Sequence, residues 1–304
     1  CPFSASKSDV SVEQVINQLK TNARTKEPIY LRRAAVGYNT NLDIACNGAA
    51  LLNQLEVDPL TIQPLTPFDS IINITEFAKS FGYFFQQGSA AERAVTNKET
   101  WDKIVNPLIS SKFENCHVLP GGNAALISNR LTALGVSVLL GGPVGETLES
   151  LIAPSVTTLR EFYKDDYPTV TDEIHLIMEF HTGEKWGPVT SPRANRFIVS
   201  HDIQNSQLTA IDDFHRAIDS YEPQVVIIAG SHLLESLETS KRNARLNALV
   251  EALHSIPSHV AIHLEIAGVG DIEFLEQIGK ALFPLVDSIG LNEQELGALY
   301  LATD

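Results

Sequence analysis

The sequence has few cysteines, no long apolar run and a deficit of basic residues. Cys1, Cys46 and Cys116 are too few for a disulfide framework and lack zinc-ligand spacing, so we expect buried or incidental thiols. No run is long and apolar enough to span a bilayer. The 22 basic and 37 acidic residues give a net charge of −15. We therefore expect no nucleic-acid partner, although a few local arginines could still hold a nucleotide.

The rest of the composition is that of a folded, soluble protein. The chain has 304 residues, of which 44% are hydrophobic and 19% charged. This length is enough for a large core and suggests about two domains. In the C-terminal third, short apolar strands alternate with helices, which predicts a parallel, doubly wound sheet. The strands of this part are predicted over Val225–Ala229, Val260–Ala267 and Val286–Leu291.

Hydrophobic spacing predicts the other elements. We expect a helix over Ser11–Lys20 and another over Leu148–Phe162, with a kink or break at Pro154. The apolar runs Asp172–His181 and Arg196–Val199 flank a turn and predict a hairpin. His175 lies within the first of these runs, where it is either a satisfied core histidine or a ligand contact.

Two segments near the N-terminal half combine glycine or polar turns with regular structure. Gly121 and Gly122 form a turn that lets backbone approach a ligand, and a helical pattern begins at Asn123. The alternative is an ordinary turn. Asn41 and Asp43 follow a predicted strand and share one face of extended backbone, where an amide and a carboxylate could bind a polyol. The alternative is a turn stabilised by their own side chains.

A second polar group lies at the ends of the C-terminal strands. His263 and Glu265 share one strand face, and Asn292 and Glu295 open the helix after the next strand. Both groups end strands at the carboxyl edge of a parallel sheet, where ligands of such folds bind. The alternative for Asn292 and Glu295 is a helix-capping box.

These segments together resemble the eukaryotic type of ADP-dependent glucokinase, in the ADP-dependent sugar kinase family of the ribokinase-like superfamily. The resemblance runs from about Pro28 to residue 304 and rests on six motifs. In chain order they are N-x-D at Asn41, G-x-A-A-E ending at Glu92, GGN at Gly121, P-R-x-N-R-F containing Arg193 and Arg196, H-x-E at His263 and N-x-x-E at Asn292.

The resemblance implies a ribokinase-like α/β fold with a smaller α+β lid. Residues 1–41, 119–171 and 204–304 would form the large nucleotide and metal domain, and residues 42–118 and 172–203 the lid, which contributes to the sugar site. The implied reaction transfers the terminal phosphoryl group of ADP to the 6-hydroxyl of glucose, giving AMP and glucose 6-phosphate, as a step of glycolysis. We expect a monomer, located in the endoplasmic reticulum lumen or secreted, or cytoplasmic if the protein is prokaryotic.

The resemblance also assigns roles to residues. Arg196 would bind nucleotide phosphate. Glu265 and Glu295, supported by His263 and Asn292, would hold hydrated Mg²⁺. The residues expected to bind the sugar are Asn41, Asp43, Glu92, Gly121, Gly122, Asn123 and His175.

The catalytic residue is the main departure from the family. Gly268–Asp271 matches the G-x-G-D pattern of the catalytic base, but it precedes N-x-x-E, whereas in the family it follows. We therefore expect Asp271 to cap a helix. The catalytic Asp is expected beyond Asp304, so we expect this polypeptide alone to be inactive.

Two sets of alternatives remain at the level of sequence. Within enzymes, they are an ADP-dependent phosphofructokinase and an ATP-dependent ribokinase-like kinase. A sugar-phosphate acceptor should need a basic cluster that is not seen near Asn41 or Gly121. Outside enzymes, the alternative is a non-catalytic sugar-binding module.

Overall fold

A computed structural model describes residues 30–111 and 114–303 of the chain. The predicted helix over Ser11–Lys20 and the thiol of Cys1 lie outside these residues. The described helices are α1 Gly48–Gln54, α2 Ile74–Gln87, α3 Lys98–Ser110, α4 Asn123–Ala133, α5 Glu146–Leu151, α6 Leu159–Tyr163, α7 Ile211–Tyr221, α8 Thr239–His254, α9 Ile272–Leu282 and α10 Glu293–Thr303. The described strands are β1 Arg33–Tyr38, β2 Asn41–Asn47, β3 Ser70–Ile71, β4 Ala91–Val95, β5 Cys116–Gly121, β6 Ser137–Gly141, β7 Val156–Thr158, β8 Ile174–Phe180, β9 Lys185–Trp186, β10 Val189–Thr190, β11 Asn195–Ser200, β12 Val225–Ala229, β13 Ala261–Glu265 and β14 Ser288–Gly290.

The first sheet is entirely parallel, in the order β14-β13-β12-β1-β6-β7. Its central strand β1 is apolar almost throughout because both of its faces are covered. Ala34 and Val36 belong to the hydrophobic cluster on one face, and Ala35 belongs to the cluster on the other. The predicted α/β fold with a largely parallel sheet flanked by helices is confirmed.

The second sheet is mixed, in the order β3-β4-β11-β8-β2-β5. The predicted antiparallel pair of β8 and β11 is present, and a small hairpin of β9 and β10 lies in its connection. The helices α1, α2 and α3 each follow an asparagine whose side chain accepts a hydrogen bond from the backbone N–H three residues later. These asparagines cap the helices in the usual way. The second sheet is formed by residues within 42–118 and 172–203 together with Asn41 and residues 119–121. The domain limits themselves stay a prediction.

The helix predicted over Leu148–Phe162 is wrong as one element, although the predicted break at Pro154 is present. The chain forms α5, then the edge strand β7, then α6. Pro154 cannot continue the helix because it lacks an N–H, and the β-branched residues that follow it pair in parallel with β6.

The expectation of unpaired thiols is also wrong for two of the three cysteines. Cys46 and Cys116 form a disulfide, with their Cα atoms 4.5 Å apart. They lie directly opposite each other in the antiparallel pair of β2 and β5. The bond therefore joins two neighbouring strands that are 70 residues apart in sequence.

The described chain passes between the two sheets four times, and hydrogen bonds tie these crossings to one another. The crossings lie near residues 39–40, 121–123, 167–173 and 201–210. Thr40 and Asn205 form a two-way bond: Asn205 Nδ2 donates to the Thr40 carbonyl over 2.9 Å, and Thr40 N donates to Asn205 Oδ1 over 3.2 Å. The Glu173 carboxylate accepts from the backbone N–H groups of Ile203 and Gln204. Because Thr40, Asn205 and Glu173 are buried, these bonds satisfy polar groups that water does not reach.

Within the described residues, no helix combines the length and apolar character needed to cross a bilayer.

Candidate active site

A cavity of about 670 Å³ lies where the second sheet meets the carboxyl edge of the first. The edge side of the cavity is formed by residues that follow three parallel strands: Asn39 after β1, His232 after β12 and Gly268 after β13. Ligands of open parallel sheets bind at this edge. The volume is in the range of small-molecule sites.

The floor of the cavity is one face of the second sheet. Side chains on a strand alternate between its faces, so every second residue of adjacent strands points the same way. The floor residues are Asn41 and Asp43 of β2, Glu92 and Ala94 of β4, His175 and Ile177 of β8, and Arg196, Ile198 and Ser200 of β11. Gly122 and Asn123 complete this side.

Asn41 and Asp43 form a hydrogen-bonded pair on β2. Asn41 Nδ2 donates to Asp43 Oδ1 over 2.7 Å. Burial raises the pKa of Asp43, while His175, the Asn41 amide and Arg196 act in the opposite direction. Gly121 lies beneath this pair and does not line the cavity, because a Cβ at Gly121 would overlap both side chains. Its role is to make room for them.

The turn before α4 has the backbone conformation that its glycines suggested. Gly122 has φ +81°, and a Cβ there would stand 2.5 Å from the Asn39 carbonyl oxygen. Asn123 begins the helix, and the backbone N–H of Ala124 donates to the same Asn39 oxygen over 3.2 Å. The turn is thus tied to the first crossing between the sheets.

His175 is held by Asp202. His175 Nε2 lies 2.9 Å from Asp202 Oδ2, and the two side chains are 16% and 9% exposed. Burial alone lowers the pKa of His175, but the hydrogen bond and charge of Asp202, with Glu92 and Asp43, outweigh burial and raise the pKa to about 8. His175 is therefore a cation at neutral pH, between two carboxylates of the cavity floor.

The two arginines of P-R-x-N-R-F have different surroundings. Arg196 is exposed and lines the cavity. Arg193 is outside the lining, and its Nε donates to the Gly88 carbonyl over 2.8 Å. Arg93 also lines the cavity, but its guanidinium bonds the backbone carbonyls of Phe68 and Glu92. The phosphate-binding role of Arg196 stays a prediction.

The residues predicted to hold a metal do not line this cavity. His263 Nε2 lies 3.3 Å from Glu265 Oε2, and both oxygens of Glu295 accept from Asn292 in a capping box. The described part of the chain contains no group of three His, Cys, Asp or Glu residues placed to hold a metal ion. Glu265, one-third exposed at the end of β13, could support only a hydrated ion whose other ligands are waters and substrate phosphates.

Asp271 caps a helix, as predicted. Its Oδ1 accepts from Phe274 N over 3.1 Å, and its other oxygen pairs with Arg242 at 3.0 Å. The carboxylate of Glu235 accepts from the backbone N–H groups of Gly270 and Asp271. The backbone N–H groups of Gly270 and Asp271 and the carboxylate of Asp271 are therefore already engaged by other groups of the protein.

Sequence reasoning missed several lining residues: Asp69, Asp202, Ser206, His232, Glu235 and Ser236. A usable signal existed for Asp202 and His232, because each is a polar residue shortly after the end of a strand. For Asp69 there was no such signal, since it lies in an irregular segment before β3.

Comparisons with known proteins agree with this arrangement. Residues 32–304 match the family described as ADP-specific Phosphofructokinase/Glucokinase conserved region. The chain is 35% identical to the ADP-dependent glucokinase of Bos taurus over 267 residues, which are 87% of this chain and 52% of that protein. It is 31% identical to a probable ADP-dependent glucokinase of Caenorhabditis elegans over 95% of this chain and 56% of that protein. The chain thus spans about half the length of the curated relatives it matches.

The fold comparison gives a consistent result. The structure of a phosphofructokinase from Pyrococcus horikoshii OT3 with AMP aligns with a TM-score of 0.72 at 22% identity. The alignment covers 91% of this chain and 66% of that chain. The sequence match over residues 32–304, with the two sheets and the cavity between them, places this chain in the ADP-specific phosphofructokinase/glucokinase family.

Proposed function

We propose that the protein transfers the terminal phosphoryl group of ADP to the 6-hydroxyl of glucose, giving glucose 6-phosphate and AMP. The observation that carries this proposal is the cavity floor, where Asn41, Asp43, Glu92 and His175 point into one volume with Asn123 at its side. Carboxylates accept hydrogen bonds from hydroxyls, and amides both donate and accept, so this set suits a polyol. The relatives with the higher identities are named glucokinases.

A neutral hexose suits this floor better than a sugar phosphate. Asp43 and Glu92 would repel a phosphate monoester, and the guanidinium of Arg93 is occupied by two backbone carbonyls. Arg196 is then needed for the phosphate of the donor. These charges favour glucose over the fructose 6-phosphate of the phosphofructokinase alternative.

The residues of the chain would act mainly by orientation. Asn41 and Asp43 fix one side of the sugar, and Glu92 and the Gly122–Asn123 turn fix another, which holds the acceptor hydroxyl facing the donor. Arg196 orients the transferring phosphoryl group. We propose Mg²⁺ as the cofactor, held by Glu265 and Glu295 through water; when bound, it offsets the negative charge of the phosphates.

The test is a binding and turnover experiment on the protein that carries this sequence. Glucose and fructose 6-phosphate are titrated by calorimetry, and AMP and glucose 6-phosphate are measured with ADP or ATP as the donor at millimolar Mg²⁺. We expect glucose binding, ADP-dependent turnover and no fructose 6-phosphate binding. Tight binding of fructose 6-phosphate would overturn the choice of acceptor, and glucose binding without turnover would leave a sugar-binding module.

The variant Glu92→Gln tests the acceptor site at one residue. It removes a hydroxyl-accepting charge from the floor, so we expect glucose affinity to fall by about 10-fold, as for a lost hydrogen bond to a charged group. The matched control is Glu99→Gln, which removes the same charge from an exposed ion pair with Lys103 on α3. Equal affinities of the two variants would contradict a role for Glu92.

The location of the protein is also a proposal. The disulfide between Cys46 and Cys116 supports an oxidising compartment, such as the endoplasmic reticulum lumen or the extracellular space, because cytosolic thiols are kept reduced. Alkylation of free thiols in freshly lysed cells tests this: labelling of both cysteines before reduction would favour the cytoplasm. The inactivity of this polypeptide alone and its monomeric state stay predictions, tested by the turnover assay and by sedimentation.

A further inference from the structure

A largely buried polar cluster adjoins the cavity floor and includes two carboxylates that the proposed function does not use. Asp202 and Glu173 belong to two different crossings between the sheets. Asp202 contacts His175, and Glu173 is held by the backbone of residues 203 and 204, which follow Asp202. These contacts connect two of the crossings between the sheets with His175 of the cavity floor.

The position of Asp202 is fixed from several sides. Asn205 Nδ2 donates to Asp202 Oδ1 over 3.3 Å, and the Ser206 hydroxyl donates to the Asp202 carbonyl over 2.8 Å. Asn205 is itself bound to both backbone groups of Thr40, the residue before Asn41. Asp202 is therefore held by the same buried asparagine that also bonds the residue before β2.

The contact of Asp202 with His175 determines which ring nitrogen faces the ligand. Asp202 accepts from Nε2, which leaves Nδ1 for the cavity that His175 lines. A carboxylate behind a histidine fixes the orientation of the ring. Rotation of the ring would give up a charge-assisted hydrogen bond between largely buried groups.

The charged groups near His175 come from several elements. Asp43 lies opposite it on β2, and Glu92 of β4 also raises its pKa. Burial, and after it the charge of His175, lowers the pKa of His232 after β12, and Arg196 of β11 acts on Asp43. Asp202 lines the cavity beside His175, and the pKa of Glu173, on the preceding crossing, is raised by burial and by the charge of Asp202. His175 and Asp43 lie opposite each other on β8 and β2, and the charge of each favours the charged form of the other.

We propose that Asp202 is a positioning residue of the acceptor site, which holds the His175 ring in the cavity floor beside Asp43. Its effect on the sugar is exerted through His175, with which it shares a hydrogen bond. This inference deepens the proposed function and rests on it for the identity of the ligand, whereas the coupling between Asp202 and His175 does not depend on the sugar.

The coupling predicts a limit of sugar affinity on the alkaline side. The charged form of His175 is present below its pKa of about 8 and is lost above it. We therefore expect glucose affinity to be highest near neutral pH and to fall as pH rises through about 8. In Asp202→Asn the burial of the imidazole dominates, so the pKa of His175 should fall below its ordinary value of 6.5 and the alkaline limit should move with it.

The experiment uses the full protein with labelled histidines. The titration of the His175 ring is followed by NMR from pH 5 to pH 9 and assigned with His175→Gln, and glucose affinity is measured by calorimetry over the same range. We expect Asp202→Asn to weaken glucose binding at pH 7 by roughly 10- to 100-fold, as for the loss of a hydrogen bond to a charged group. Asp202→Glu, which keeps the charge, should restore part of both the affinity and the His175 pKa.

The control is Asp102→Asn, which removes the same charge from an exposed pair with Lys98 on α3. This variant should leave both the His175 titration and the pH dependence of glucose affinity unchanged. Wild-type protein alone can overturn the proposal: a His175 titration below 6.5, or a glucose affinity that stays flat from pH 7 to pH 9, contradicts it even if Asp202→Asn does not fold. A uniform loss of affinity in Asp202→Asn, with no change in the His175 titration, would reduce Asp202 to a structural role.

The proposed function fails in a different way. If wild-type protein binds no glucose at any pH while His175 titrates near 8 and responds to Asp202, the ligand is wrong and the charge coupling stands. If glucose binds but His175 does not respond to Asp202, the ligand stands and this inference is wrong.

Discussion

At the scale of single residues, the buried histidines divide according to their partners. His175 has a carboxylate and is cationic, whereas His215 and His232 have none. His215 Nε2 contacts the Tyr38 hydroxyl, and burial lowers the pKa of His215 to about 4. Burial likewise lowers the pKa of His232 to about 4, and His232 Nδ1 has no hydrogen-bond partner among the described residues. The same side chain therefore serves as a fixed charge in one place and as neutral packing in another.

The neutral state of His215 predicts how stability depends on pH. Its pKa in the folded protein lies below the unfolded value of 6.5, so its contribution is present above 6.5 and is lost as pH falls toward 4. Between pH 7 and pH 5 we expect this group to lower the free energy of unfolding by about 2 kcal/mol. Urea unfolding at both pH values measures it, and His215→Gln should lose about this much of the pH dependence. An unchanged difference in the variant would show that other groups are responsible.

At the scale of elements, apolar runs predicted β12, β13 and β14 of the first sheet and β8 and β11 of the second, and helical spacing predicted α4. The strands β3, β4 and β5 were not predicted. Val225–Ala229 was predicted to the residue because its apolar run is bounded by turn residues. Leu148–Phe162 was wrong because β7 has only three residues, too few to show a period. The disulfide was missed because it depends on the pairing of β2 with β5, which spacing along the chain does not reveal.

Two glycines, one before α4 and one after it, allow a matched test of the close backbone approach in the turn before α4. Gly122 and Gly135 have φ values of +81° and +86°, so alanine is strained at both, but only at Gly122 would its Cβ meet other atoms. We expect Gly135→Ala to cost about 1 kcal/mol and Gly122→Ala about 3 kcal/mol or more, with loss of glucose binding only in the second. Thermal unfolding and calorimetry measure both effects. Similar losses in the two variants would rule out the close approach as the cause.

The disulfide is the second feature to test at this scale. Cys46 and Cys116 close a loop with a sequence separation of 70 residues, for which chain entropy predicts a stabilisation of about 4 kcal/mol. The double variant Cys46→Ser with Cys116→Ser should unfold in correspondingly less urea. Reduction of the wild-type protein with dithiothreitol should give the same midpoint as the double variant. A midpoint that neither treatment changes would contradict the stabilising role.

At the scale of the whole molecule, the cavity exists because the four crossings bring the two sheets together. Five of the nine floor residues were named from the sequence, namely Asn41, Asp43, Glu92, His175 and Arg196. The hydrogen bonds that join the crossings next to the floor could not be predicted in this way. Asn205, Asp202 and Glu173 act through bonds to segments 27 to 165 residues away, and such distances leave no periodic trace in the sequence.

These hydrogen bonds predict that Asn205, which does not line the cavity, has a large effect on stability. Asn205→Ala removes both bonds to Thr40 and leaves two buried backbone groups unsatisfied, so we expect a loss of about 2 to 4 kcal/mol in the free energy of unfolding. Exposed Asn106 on α3 provides the control, since Asn106→Ala should change stability little. Urea unfolding compares the two, and equal midpoints would show that the bonds to Thr40 add no stability.

The four crossings also bear on how such a protein responds to cutting and rearrangement. Because the sheets are interleaved along the chain, no single break in the backbone separates them. A protease nick at one crossing would leave three covalent connections, so the two parts should stay associated under native conditions and come apart as fragments only in denaturant. In the gene, likewise, the second sheet is encoded in two separated blocks, so one deletion cannot remove it and leave the parallel sheet intact.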